Sequence, residues 1–465
     1  MQRKKSSPYI SLGISVLLLA GAFAAPAIGS LSAEMVRTLL VIFCAIVLWV
    51  KKPIPLAVSS LVLLVLLPMT GLVKNLNEAF SGYSNATNFF VLASFGLAIA
   101  VKKTTISNRL LKCFLSITHG RTKYVVLAYM LMVYVLSTVM SDIPAVVIGI
   151  AFAQQLLEST EEEARPALGR VLILSLPFAS IIGGMVTPAG SSVNVMALNL
   201  LSANTGIEVG FLQWSAFTFP ISVILLAAAW FILTHLFKAD DLPEEQVNAF
   251  ISNMSLRQTS SLKHEGYAIA VIVAMIAAWI AGSWISALNT TTVAVFGLLL
   301  LILPGIGAFN WKEFCAGVSW DIFLMGGATI QLGSLARSSG LVQLLADVLQ
   351  ANFAGLPPSV VIILLGVVVT LILVLMPVGP ATVSMLVMPV FALSEAIGVN
   401  SVMMVIALGM FASNCSILPL NAVMLLSFAP GYWKIPDLMK TGILVTAAWL
   451  LLAALWFPVA AGLFL

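Results

Sequence analysis

Ser141-Asp142-Ile143-Pro144-Ala145-Val146 lies inside an apolar stretch, and about 46 residues later comes Thr187-Pro188-Ala189-Gly190-Ser191-Ser192-Val193-Asn194. A carboxylate at membrane depth costs roughly 3 kcal/mol or more unless it is paired, so Asp142 calls for an explanation. Three readings of it stand side by side: ligand to a cation, carrier of a proton, or cap of a short helix near cytoplasmic water. Pro188 and Gly190 interrupt a helical ladder, which frees carbonyls for a cation. Thr187, Ser191 and Asn194 add hydroxyl and amide groups that can meet an anion or supplement a cation shell. A helix restarting near Ser191 would contribute its positive end. The plainer alternative is a kinked helix whose Ser and Thr only patch its own backbone.

A weaker version of the same arrangement lies in the second half. Gly379-Pro380-Ala381-Thr382-Val383-Ser384 matches the first motif in position, and Ser413-Asn414-Cys415-Ser416 with Leu418-Pro419-Leu420-Asn421 matches the second. Thr382, Ser413, Asn414 and Asn421 are the polar groups on offer there, and kink relief competes closely with function. Polar, helix-breaking segments that recur in two halves of an apolar chain mark a binding site made of discontinuous helices. The expected assignment places Ser141, Ser191, Asn194, Thr382 and Asn421 at the substrate. Asp142, Thr187, Gly190, Asn194, Ser413 and Asn414 are placed at a coupling cation.

The elements that must position these residues are helices in a bilayer. The chain of 465 residues is 61% hydrophobic and only 9% charged, with a net charge of +4 and a mean hydropathy of +1.10. A soluble domain carries about 25% charged residues, so this is an integral membrane protein. Its apolar runs are long and continuous, as in helices rather than barrel strands. Spans are expected near 8–27, 33–50, 55–73, 88–102, 167–189, 213–236, 266–286, 290–308, 320–336, 400–428 and 441–463. Two longer segments with polar centres, 124–157 and 358–393, read as re-entrant hairpins. The expected fold is therefore all-α, with about eleven transmembrane helices plus two hairpins.

With a cytoplasmic N-terminus, 19 of the 22 Lys and Arg fall inside, and only Arg37, Lys74 and Arg337 fall outside. So lopsided a distribution supports the order of crossings. It places the protein in the inner (plasma) membrane as a multi-pass chain. The opening resembles a signal peptide but reads as an uncleaved first span.

Phe80-Ser81-Gly82-Tyr83 through Lys102 resembles Gly317-Val318-Ser319-Trp320 through Arg337. Lys103 and Arg337 are 234 positions apart, and Ser141 and Gly379 are 238 apart. Each copy runs through an amphipathic segment (106–115; 341–349) into a hairpin and a broken helix. Lys103 falls inside and Arg337 outside, so the two copies are of inverted topology. The chain divides into a first repeat, 1–237, a polar cytoplasmic linker, 238–265, and a second repeat, 266–465. Asp321, at the start of a span, reads as an interfacial cap beside the anchor Trp320. The four cysteines lack metal spacing.

The order of elements resembles the divalent anion–sodium symporter family (DASS, INDY-like) of the ion-transporter superfamily. The resemblance rests on Phe80-Ser81-Gly82-Tyr83-Ser84-Asn85, Ile182-Gly183-Gly184-Met185-Val186-Thr187 and Phe211-Leu212-Gln213-Trp214. It continues in Trp320-Asp321-Ile322, Met388-Pro389-Val390-Phe391 and Gly431-Tyr432, and so covers most of the chain. It implies a scaffold domain and a transport domain, a homodimer, and elevator movement of succinate, malate, citrate or sulfate coupled to sodium. In the family each hairpin tip carries Ser-Asn-Thr and each broken helix a Thr-Pro-Pro-Asn-like turn, which supply sodium ligands and substrate contacts. Here Ser141-Asp142-Ile143 stands at the first tip and Gly379-Pro380-Ala381 at the second. Ser192-Val193 replaces Pro-Pro in the first turn, and the second turn is shortened around Leu418 and Asn421.

The function expected is secondary active transport of a small organic anion, a di- or tricarboxylate, with sodium as coupling ion and no cofactor. Proton coupling, or exchange of sulfate or another oxyanion, is the alternative that the altered tips suggest. An intramembrane enzyme built on Ser191 is the remote one, since no base accompanies that hydroxyl. Partners are the anionic substrate, the bilayer and a second copy; no nucleic acid is expected.

Overall fold

The structure is a computed structural model that describes residues 8–29, 31–84, 86–256, 265–282, 284–344, 347, 355–375 and 378–464. Asn85 and part of the amphipathic segment 341–349 lie outside these residues. Among the described residues every regular element is helical, apart from an isolated bridge between Ile28 and Leu31. The all-α membrane architecture read from the sequence is thus the one observed.

The first half opens with α1 (Pro8–Ala24), α2 (Ala33–Lys51) and α3 (Leu56–Leu66). After α4 (Leu76–Ala79) come α5 (Ala86–Lys103) and α6 (Ile106–Leu115). The last two meet at a bend of 61°. Ser32 caps α2, its hydroxyl accepting from the Met35 amide at 3.2 Å. Helix α3 has no cap of its own. Asp321 supplies one from the other half of the chain, its Oδ1 accepting from the Ala57 amide at 2.8 Å.

The expected hairpin 124–157 is two helices, α7 (Thr122–Met140) and α8 (Asp142–Glu158), joined at Ser141. The broken helix follows as α9 (Arg165–Gly184), a 3-10 turn at Pro188–Gly190, and α10 (Ser192–Thr205). Helix α11 (Phe211–Leu236) closes the half.

The segment read as a polar linker contains α12 (Glu244–Leu256). Val247, Phe250 and Met254 are buried, and they recur at the spacing of one helical face. Glu244 meets His119 at 3.0 Å, and the Gln246 amide donates to the Ser159 carbonyl at 2.7 Å. This helix is therefore bound to both ends of the first hairpin.

The second half repeats the order. Helices α13 (Glu265–Ala281) and α14 (Thr290–Ile302) precede α15 (Trp311–Gly317) and α16 (Trp320–Ser338). Asn310 and Glu313 form a capping box at α15, as Asn75 and Glu78 do in part at α4. The second hairpin is α17 (Pro358–Leu375) and α18 (Gly379–Ile397). The span expected at 400–428 is broken into α19 (Ser401–Ser413) and α20 (Ala422–Phe428), and α21 (Ile435–Phe464) ends the chain.

Helix α21 begins six residues before the expected 441 because its first turn is anchored. Arg170 donates to both carboxylate oxygens of Asp437 at 3.0 and 2.8 Å and lies over the Phe237 ring. A bidentate pair of this kind lets a carboxylate enter the protein edge of the bilayer. Five described helices are each long and apolar enough to cross a membrane, six if α5 and α6 count as one bent span. Shorter apolar helices, among them α3, α13, α14, α17 and α19, accompany them.

Candidate functional site

Helix α7 ends because Ser141 takes φ +73° and ψ 159°. Non-glycine residues rarely occupy this region, and holding one there costs about 1–3 kcal/mol. The strain is held by Asp142, whose Oδ1 accepts from the Ser141 hydroxyl at 3.0 Å and the Ile143 amide at 2.9 Å. Asp142 thus lies in the first turn of α8, where a negative charge suits the helix end. Ser141→Gly is expected to raise the melting temperature while lowering transport, since strain is removed together with the hydroxyl; thermal unfolding and uptake on the same preparation check this.

The tip is stitched to the broken helix by hydroxyls. Ser137 donates to the Ser180 carbonyl at 2.7 Å, and Ser180 donates to the Asp142 carbonyl at 2.5 Å. Thr187 donates to the Thr138 carbonyl. Backbone approaches backbone closely here. A Cβ on Gly190 would lie 2.4 Å from the Gly184 carbonyl oxygen and 3.0 Å from that of Ser137. Glycine is required at such contacts, where any side chain would part the two segments.

Asn194 occupies the centre of this region and is fully buried. Its Nδ2 donates to the carbonyls of Gly184 and Thr187, each at 2.8 Å. The side-chain nitrogen therefore bridges the two ends of the break. Its Oδ1 is buried without a hydrogen-bond partner among the described residues. An orphaned buried acceptor costs about 1–3 kcal/mol, which a bound cation or a donor would recover. Ser191 is also buried, and its hydroxyl caps α10 by accepting from the Val193 amide at 3.3 Å. Ser141, Asp142, Thr187, Gly190, Ser191 and Asn194 are thus brought together around one break.

The second-half residues are satisfied locally, and only Asn414 among them joins a side-chain cluster, with Ser416 and Thr446. Asn414 donates to Thr446 Oγ1 at 3.2 Å and accepts from Ser416 at 2.6 Å. The Ser413 and Thr382 hydroxyls turn back to the carbonyls of Gly409 and Val378. Asn421 caps α20, accepting from the Met424 amide at 2.8 Å. The cavity beside Asn414 and Ser416 is only about 10 Å³, room for one water at most. The two clusters meet where Gly379, at the second tip, lies against the Val193 side chain and the Ala412 carbonyl.

Ser137, Thr138 and Ser180 take part in the first cluster, and Thr446 in the second, although motif reading did not single them out. Ser137 lies one helical turn before the tip and Ser180 one turn before Gly184, so helical spacing from the recognised residues would have found both.

The profile of a family described as the sodium:sulfate symporter transmembrane region matches residues 6–462. The chain belongs to this family. Its members form the DASS group that the sequence motifs resemble, and membership makes this a multi-pass membrane transport protein. Among similar proteins, the sodium-dependent dicarboxylate transporter SdcS of Staphylococcus saprophyticus is 25% identical over 422 residues, covering 85% of this chain and 80% of that one. The SdcS of Staphylococcus aureus strain USA300 is 24% identical over the same length. A structure of MtrF from Neisseria gonorrhoeae, reported as illuminating a class of antimetabolite efflux pumps, aligns with TM-score 0.60 at 17% identity. It covers 97% of this chain and 94% of that one. The YdaH transporter of Alcanivorax borkumensis aligns with TM-score 0.57 at 14% identity, covering 98% of each. At these identities the two structures speak to the fold alone.

Proposed function

We propose that this chain is a sodium-coupled secondary transporter of a small organic dianion, working as a homodimer by an elevator movement of its hairpins and broken helices. The observation that carries the reading is the orphaned Asn194 Oδ1 among backbone carbonyls at the break between α9 and α10. Carbonyl and amide oxygens at a helix break suit sodium, and the start of α10 behind Ser191 suits an anion. Sodium and the anion are both cargo here. The dicarboxylate specificity named for SdcS supports the substrate class.

The first cluster is the stronger candidate for both, because the second fills its own hydrogen-bonding needs. Thr382 and Asn421 would reach substrate only after their present bonds are exchanged.

The deciding experiment is uptake of labelled succinate, citrate and sulfate into proteoliposomes under separately imposed sodium and proton gradients. Sodium-driven succinate uptake is the expected result. Uptake driven by protons alone would replace sodium coupling with proton carriage through Asp142. Sulfate uptake without succinate uptake would overturn the dicarboxylate assignment. Asp142→Asn is expected to reduce uptake at least tenfold with folding unchanged, and wild-type rates would remove this carboxylate from the mechanism.

A further inference from the structure

A cavity of about 370 Å³ lies between α2, α16 and the middle of α18. Leu39, Ile42 and Phe43 of α2 form one wall, and Leu332 and Ala336 of α16 with Met385 of α18 form the other. Its lining is almost wholly hydrocarbon, and it opens to the outside of the protein, with Phe43 half exposed. Its volume falls in the range of small-molecule pockets. It is separate from the break around Asn194.

Arg337 terminates the α16 wall. It follows Ala336 and precedes Leu341 and Val342, which also line the cavity. Its side chain is exposed and lies 5.9 Å from the centre of the Phe391 ring, two residues beyond the lining residue Pro389. Among the described residues no carboxylate pairs with it. On the topology expected from the charge pattern, with a cytoplasmic N-terminus, it is one of three basic residues on the outer side. A cation–π contact uses none of the guanidinium's five hydrogen-bond donors.

We propose that this groove is a binding site for an anionic phospholipid, with one acyl chain in the cavity and the headgroup phosphate on Arg337. An unpaired guanidinium beside an apolar groove open at the surface of a membrane protein matches the head and tail of such a lipid. Arginine suits phosphate because its fork can donate two parallel hydrogen bonds, and basic sites between membrane helices select anionic headgroups. The occupant also has a mechanical position. The lining comes from α2 and α16 as well as from α18 of the second hairpin, so a chain seated there touches both the hairpin and the helices past which the proposed elevator movement would displace it. Binding itself does not depend on that movement or on the substrate assignment.

The test is native mass spectrometry of the full chain in detergent, with phosphatidylglycerol or phosphatidylcholine added in equal amounts. Wild type is expected to retain phosphatidylglycerol at least fivefold over phosphatidylcholine. Arg337→Gln should abolish that preference and Arg337→Lys should keep part of it, while Lys74→Gln, which alters another outer cation, should leave it intact. Ile42→Trp should reduce retention of both lipids by filling the groove. Equal retention of the two lipids by wild type, or a preference that survives Arg337→Gln, would overturn the proposal. Ile42→Trp that leaves lipid bound but turns a dimer into a monomer would give the groove to a second copy of the chain instead.

Discussion

Asn194→Ala is expected to lower sodium-driven uptake about a hundredfold, equivalent to ~2.8 kcal/mol, and to remove the stabilisation that sodium confers. The side chain has two tasks that the substitution separates from the rest of the fold. Among the described residues its Oδ1 is buried with no hydrogen-bond partner, and its Nδ2 holds the Gly184 and Thr187 carbonyls at 2.8 Å. Alanine removes the candidate ligand and releases the two carbonyls that stand beside it. A ligand that binds only the folded state raises stability with the logarithm of its concentration. Thermal unfolding across a sodium series, with choline holding ionic strength constant, therefore reads the site without needing a substrate. Wild type should melt higher as sodium rises, and Asn194→Ala should not.

The control is Asn421→Ala. Asn421 caps α20 through the Met424 amide, so its loss should cost about 1 kcal/mol of stability and leave the sodium-dependent increment intact. An undiminished increment in Asn194→Ala would remove this residue from the cation site. A lost increment in Asn421→Ala would place a cation in the second half as well.

These two asparagines also show where sequence reading reaches its limit. Both sit at the end of a polar turn beside proline, and both were candidates on the same grounds. What separates them is whether the amide oxygen has a nearby donor, and that depends on the path of the turn. In the second half the Met424 amide is presented to Asn421, whereas at the first break it is Ser191, three residues earlier, that caps α10. The hairpins and broken helices themselves were legible because membrane spans have a length limit and their breaks carry Pro, Gly and polar side chains.

Helix α12 was not read from the sequence, where it passed as part of the polar linker; Val247, Phe250 and Met254 carry its periodicity, but overall polarity concealed it. The partner of Asp321 was not legible at all. A carboxylate at a helix start reads locally as that helix's own cap, and nothing in the sequence announces that it serves Ala57, 264 positions away. Contacts between the halves depend on how two sets of helices face each other, which composition and spacing do not encode.

Gly183→Val is expected to prevent recovery of folded protein from the membrane, the largest stability effect predicted for a single substitution here. Gly183 lies in the last turn of α9, against the backbone of α7. A Cβ at this position would stand 2.3 Å from the Tyr134 carbonyl oxygen and 2.8 Å from its Cα. Contact with a flexible side chain could be relieved by a rotamer change, but these atoms are main chain in a buried stretch of α7, where Val133 and Tyr134 are both buried. Lipid tails are as apolar as helix surfaces, so close packing of small residues supplies much of the attraction between membrane helices. A branched side chain would part α7 from α9 along the contact that also carries the Ser137–Ser180 bond. Overpacking alone costs about 1–3 kcal/mol, and the loss of the hydroxyl links would add to it.

Size-exclusion profile and melting temperature in detergent report the outcome. Gly13→Val is the matched control, because a Cβ there meets nothing within 4 Å. A monodisperse Gly183→Val protein with unchanged melting temperature would mean that α7 and α9 separate at little cost. The first hairpin would then be a mobile gate over the break, and the orphaned Asn194 oxygen would lie within reach of water whenever it opened.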